Sequence, residues 1–203
     1  MKALWVTTLA VALIAPLGGS ASAGPRSVPA APPTASVTVG PGGSPVYDPA
    51  TVKVRMGGTV TWTWDSSGHS VTDSSGLALF DSGVLDEGAT FSYSPPAAAT
   101  YKYSSIPDPG MDARVRVPMK VHPTTGDNQT EFTITWAVAS QLDIWYYVKG
   151  RVGTSHWAVL NDGSDLSLKT TLDSGTWQIK AQMVNINTGQ RSAWSPILAV
   201  IVT

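Results

Sequence analysis

In Thr59-Val-Thr-Trp-Thr-Trp64 the apolar residues fall on every second position. Val60, Trp62 and Trp64 share one face, and the threonines share the other. Successive side chains of an extended chain point to opposite faces, so a period of two requires a strand with one buried side. The pattern returns further on. Phe132, Ile134 and Trp136 alternate with Thr133 and Thr135, and Trp177, Ile179, Ala181 and Met183 alternate with Gln178, Lys180 and Gln182. Other short runs of this kind lie at 36–39, 51–54, 89–93, 100–104 and 113–117, then at 144–149, 156–160, 166–172 and 197–202. Turn residues separate them, among them Met56-Gly-Gly58, Asp65-Ser-Ser-Gly68, Asp86-Glu-Gly88 and Pro95-Pro96. No segment carries a stripe of helical period. Evenly spaced short strands without helices predict an all-β chain of sandwiches.

The first 23 residues read as a secretory signal peptide. Lys2 supplies the positive start, residues 3–17 the apolar run, and Ala21 and Ala23 the small residues before cleavage. The run is short for a membrane span and no second one follows, so no integral membrane segment is expected after cleavage. Residues 24–34 hold four prolines and little that can pack, and read as an extended tether. The loss of Lys2 with the leader takes 13 Lys and Arg to 12, against 14 Asp and Glu. That balance gives no electrostatic case for a nucleic-acid or anionic-membrane partner. An extracellular chain often relies on disulfides, but this one has no cysteine. Its stability must come from buried cores, to which its 8 tryptophans, seven of them past the leader, contribute. A polar connection, Pro123-Thr-Thr-Gly-Asp-Asn-Gln129, divides the strand-rich part. Two tandem β-sandwich domains are therefore expected, over 35–118 and 130–203, with a linker at 119–129.

The first of these resembles the cupredoxins, the plastocyanin and amicyanin family of blue-copper proteins. The resemblance rests on order and spacing: Tyr47-Asp-Pro49, Gly57-Gly-Thr-Val-Thr-Trp62, His69-Ser-Val-Thr72, Phe80-Asp-Ser-Gly83, Gly88-Ala-Thr-Phe91 and Ala99-Thr-Tyr-Lys-Tyr103. It implies a Greek-key sandwich with one copper ion near one end, held by a histidine from the loop after the Val-Thr-Trp strand and by a Cys-x-x-His-x-x-Met turn. His69 matches the first ligand. The turn reads Ser105-Ile-Pro-Asp-Pro-Gly-Met111, with Ser105 in place of the thiolate and Asp108 in place of the second imidazole. A serine hydroxyl does not ionise near neutral pH and cannot replace a soft thiolate. A carboxylate suits copper(II) far better than copper(I), which serves electron transfer poorly. Trp64 stands where the family commonly has a site-supporting asparagine. The resemblance thus leaves His69, Asp108 and Met111 as a candidate weak copper site, with Met111 packed in the domain end as the alternative. Ser105, His69 and Asp108 also superficially resemble a hydrolase triad, but no nucleophile elbow or oxyanion loop accompanies them.

The second sandwich resembles fibronectin type III domains through Phe132-Thr-Ile-Thr-Trp136, Tyr146-Tyr-Val-Lys149, Asp173-Ser-Gly-Thr-Trp-Gln-Ile179 and the closing Ser192-Ala-Trp-Ser-Pro196. Trp136 matches the family's core tryptophan, and Trp177 stands where a tyrosine corner is usual. An immunoglobulin-like sandwich is the broader alternative. Alternation places Trp145 and Tyr147 on one face with Tyr146 on the other, so Trp145, together with Trp157, is a candidate for stacking on a sugar or anchoring a partner. His122 and His156 read as surface residues, and Asn128-Gln-Thr130 fits a glycosylation signal. The chain as a whole reads as a secreted, non-enzymatic binding or scaffold protein without a cofactor. Its expected partner is an extracellular protein or glycan. Residual copper binding or electron transfer is the alternative.

Overall fold

The computed structural model describes residues 33–203, so the expected leader at 1–23 and nearly all of the tether lie outside the described residues. The remainder is all-β. Strands β1 (Thr34–Val39), β2 (Tyr47–Asp48), β3 (Thr51–Lys53), β4 (Thr59–Trp64), β5 (His69–Asp73), β6 (Asp81–Leu85), β7 (Thr90–Tyr93), β8 (Ala99–Ser104) and β9 (Asp112–Val117) make two facing sheets. Their orders are β2-β1-β4-β7 and β3-β9-β8-β5-β6. Two parallel pairings, β1 with β4 and β3 with β9, sit among antiparallel ones. Thr34, placed in the tether by its composition, already pairs with Thr59 in β1.

The alternation of β4 is realised as expected, with Val60, Trp62 and Trp64 buried and its threonines turned outward. Trp62 packs edge-on to Tyr103 at 5.4 Å and stacks with Phe80 at 6.0 Å, and Tyr47 meets Tyr103 edge-on at 4.8 Å. Aromatic pairs in these geometries add about 0.5–1.5 kcal/mol each beyond the area they bury. Burial pushes the Tyr103 phenol up to about 12. This cluster fixes the end of the sandwich from which the candidate site is built.

The second pair of sheets is formed by β10 (Lys120–His122), β11 (Thr125–Gly126), β12 (Phe132–Thr135), β13 (Ile144–Val152), β14 (Ala158–Gly163), β15 (Ser167–Thr170), β16 (Gly175–Asn185) and β17 (Leu198–Val202). Three strands, β10-β12-β15, face five, β11-β17-β16-β13-β14. The stretch 119–129 is thus not a plain linker. Its two short strands enter both sheets, because Val121 pairs with Ile134 on the edge and Gly126 lies beside Val202. Trp136 is buried, and its indole N–H donates to Asp165 O. Trp177 donates from its indole N–H to Asp173 O at 2.9 Å, tying the turn to the strand four residues on. Tyr146 is buried with its hydroxyl on Ala139 O, while Trp145 stays 43% exposed, as the alternation predicts.

The two sandwiches meet backbone to backbone. Ala98 N–H donates to Trp136 O at 2.7 Å, Val138 N–H to Pro96 O, and Thr100 N–H to Ala193 O. Ala97, Ala98 and Ala99 are buried there, and their small side chains let the chains approach this closely. The Tyr101 hydroxyl donates to Ala97 O at 2.7 Å and lies 3.9 Å from Met183 Sδ across the junction. One apolar core runs through both sandwiches.

Candidate functional site

Three segments converge at one end of the first sandwich. The turn after β4 brings Ser66, β5 begins with His69, and the turn between β8 and β9 carries Ser105, Asp108 and Met111. That last turn is closed by its own backbone, with Ser105 N–H donating to Met111 O and Met111 N–H to Asp108 O. The Trp64 indole N–H donates to His69 O at 2.9 Å, so this residue supports the histidine's backbone instead of its ring. The buried Tyr47 hydroxyl donates to Ser70 O. Burial, reinforced by nearby Tyr103, Asp108 and Asp112, raises the Tyr47 phenol far above its ordinary range.

Within this frame Asp108 is the hub. Its Oδ2 lies 2.7 Å from His69 Nδ1 and 2.7 Å from Ser105 Oγ, which donates to it. Ser105 Oγ in turn accepts from Ser70 N–H at 3.1 Å, and Ser70 Oγ accepts from Ile106 N–H at 2.9 Å. On the other side of the ring, His69 Nε2 lies 3.2 Å from Ser66 Oγ, which donates to Gly40 O at 2.7 Å. Each side chain of the cluster therefore makes at least one hydrogen bond within it, as a buried polar network needs if it is to stabilise its surroundings. The hydrogen bond from His69, then that from Ser105, holds the Asp108 carboxyl below its ordinary range against a smaller opposing effect of desolvation.

Gly40 makes this closure sterically feasible. Its φ is +67°, and a Cβ there would stand 2.0 Å from Ser66 Oγ and 2.6 Å from His69 Cδ2. Only glycine fits both the backbone and the space.

The sequence-predicted residues are thus brought together in part. His69, Asp108 and Ser105 form one network, whereas Met111 is buried in the apolar core. Ser66, Ser70, Gly40 and Tyr47 were not anticipated. Ser66 lies in the turn after β4 and Ser70 in β5, and their individual bonds leave no periodic signal.

The donor set does not fit a type 1 copper centre. There is no thiolate and no second imidazole, and Nδ1 of His69 is engaged at 2.7 Å by Asp108. Among the described residues no group of three or more His, Cys, Asp or Glu gathers. The order of the hydrogen bonds also opposes a Ser105 triad. Asp108 stands between Ser105 and His69, whereas general-base activation needs the histidine in the middle. Ser66 is on the correct side of His69, but it spends its proton on Gly40 O.

Fold and site together define an all-β, two-sandwich protein with a cysteine-free, hydrogen-bonded histidine–carboxylate cluster. No protein-family model matches the chain, and no curated protein does. Among solved structures it is similar to a purple cupredoxin from Nitrosopumilus maritimus, with 30% identity over 41% of this chain and 98% of that one, TM-score 0.37. It is also similar to a reduced, Cu(I) form of an amicyanin variant, with 25% identity over 41% of this chain and 81% of that one, TM-score 0.37.

Proposed function

We propose that this is a secreted, non-enzymatic binding or scaffold protein whose cupredoxin-like sandwich has exchanged a copper centre for a hydrogen-bonded lock. The observation that carries the reading is the single carboxylate oxygen of Asp108 joining His69 and Ser105 at 2.7 Å each. In a cupredoxin-like turn those two positions would hold a metal between them. Here the carboxylate ties them to each other, and the chain's end of the sandwich is closed without a redox-active group. The signal-like leader supports the extracellular placement. The three-on-five sheet arrangement and the Trp177–Asp173 bond support a fibronectin-type second sandwich that presents surface instead of chemistry.

Titration of the mature protein with copper(II), and with copper(I) under reducing conditions, tests this directly, with His69→Ala as the control. The reading expects only weak binding that His69→Ala leaves unchanged. Tight binding abolished by that substitution would establish residual copper function and overturn it.

A further inference from the structure

A chain with near-balanced charge has nonetheless sorted its cations. On the outer face of the first sandwich the register brings Lys102 opposite Arg114, and Lys53 beside Arg116. All four are exposed. On the outer face of the second sandwich, Lys149 lies opposite Lys180 and Arg151 opposite Gln178, with Arg191 next to Val184 on the same side. The chain segment from Arg191 to Ser195 joins the two faces. It bridges to Val184 on one side and to Thr100 on the other, so the outer surfaces of both sandwiches run together at this seam. A groove of about 330 Å³ marks the seam, where Lys102, Arg114 and Arg116 face Trp194. Across the strands from Lys53 to Lys149 the surface spans five strand spacings, or about 24 Å.

Eleven of the 13 Lys and Arg are described, and eight of them lie here. Among the described residues the ion pairs within 4.0 Å are His69–Asp108 and Lys169–Glu131, so none of the eight is neutralised by a carboxylate. The register does place Asp112 beside Arg114 and Asp162 opposite Tyr147, both outside that distance. The second-sandwich cations stack on rings instead. Lys180 Nζ lies 4.4 Å from the centre of Trp157 and 4.3 Å from that of Trp194, Arg151 lies 4.6 Å from Trp157, and Arg191 lies 5.1 Å from Tyr147. Rings hold a cation in place without cancelling its charge. Desolvation, together with the like charges of Lys149 and Arg151, lowers the Lys180 ammonium, so an arriving anion would relieve a repulsion already present. Trp145 stands on the same face, 43% exposed, with no cation over its ring among the described contacts.

We propose that this continuous basic surface is the docking site for an acidic polysaccharide. Unpaired cations spread across five strand spacings suit a polymer whose carboxylate or sulfate groups repeat along its length. The bare indole of Trp145 suits the apolar face of a sugar ring at the end of the array. The inference names a ligand class for the binding reading proposed above. It uses other residues than the His69 network, so copper binding at His69 would refute that lock and leave this surface standing.

Heparin, a sulfated uronate polymer, is the probe, immobilised beside uncharged dextran at about 0.15 M NaCl. The protein should bind heparin and not dextran, and should release it as salt rises. Arg114→Gln with Arg116→Gln should lower affinity about tenfold with an unchanged melting temperature, because both side chains are exposed. Trp145→Ala should weaken binding while leaving its salt dependence intact. Lys120→Gln with Lys169→Gln, outside the surface, should bind like the natural protein. No retention on heparin, or equal losses from the two double variants, would overturn the proposal. Displacement of heparin by single-stranded DNA at equal or lower charge concentration would overturn it in favour of a nucleic-acid site.

Discussion

Replacing Asp108 by Asn keeps the shape of the hub and removes its charge. The carboxylate accepts two hydrogen bonds through Oδ2, from His69 and from Ser105, at 2.7 Å each. Hydrogen bonds to a charged group contribute about 1.5–3 kcal/mol when buried. The Asp108 side chain is 26% exposed, and solvent screens part of that benefit. An asparagine oxygen in the Oδ2 position can still accept both bonds, but only as a neutral acceptor, and its NH2 group takes the place of Oδ1. The expected net cost is about 1–2 kcal/mol near neutral pH, which in a chain of this size lowers the melting temperature by about 2–8 °C. The effect must depend on pH in one direction. Asp108 ionises in the folded state below its ordinary value of 3.8, so its stabilisation is fully present above about pH 4 and is lost as pH falls through the folded value. Denaturant unfolding followed by tryptophan fluorescence should show the variant weaker at pH 7, with the gap closing as pH falls below the ordinary value of 3.8. Equal stability at pH 7, or a gap that persists undiminished in acid, would refute the hub.

Other perturbations probe the supports of the same structure. Gly40→Ala places a methyl against Ser66 and His69 at a positive φ, and should cost about 1–3 kcal/mol; an unchanged denaturation midpoint would contradict the close approach. Tyr101→Phe removes the buried hydroxyl bonded to Ala97 at the junction of the sandwiches, and should cost about 1–2 kcal/mol in the same assay. Trp177→Phe deletes the donor to Asp173 O while retaining an aromatic ring, and should cost about 0.5–1.5 kcal/mol; no loss would show that the bond is not formed in solution.

What could be read in advance follows from how each feature is encoded. β4 alternates cleanly because one face is packed, and β16 departs only at the buried Gln182, so the period of their sequences reveals both. β5 and β6 escaped notice because their pairing is broken by a bulge between Ser70 and Thr72, and because β6 is mostly exposed. β10 and β11 are two or three residues long, too short to show a period. At the site, the resemblance to the cupredoxins singled out His69, Ser105, Asp108 and Met111, but not the order of the bonds among the first three. That order decides the chemistry, since Asp108 and not His69 is central. Ser66 and Gly40 act through a turn and a missing Cβ, which leave no pattern in the letters. Net charge concealed the most: a sum near zero hides eight cations gathered on one surface, because a sum carries no positions.

The lock itself is tested most directly by undoing it. Ser105→Cys with Asp108→His returns a thiolate and an imidazole to a turn that still faces His69 and precedes Met111. If the present network occupies what is otherwise a metal position, the double variant should bind copper(II) and acquire an intense visible thiolate-to-copper charge-transfer band that the natural protein lacks. Adding His69→Ala should abolish that band. A folded double variant that binds no copper, or a natural protein that binds it equally well, would contradict the account.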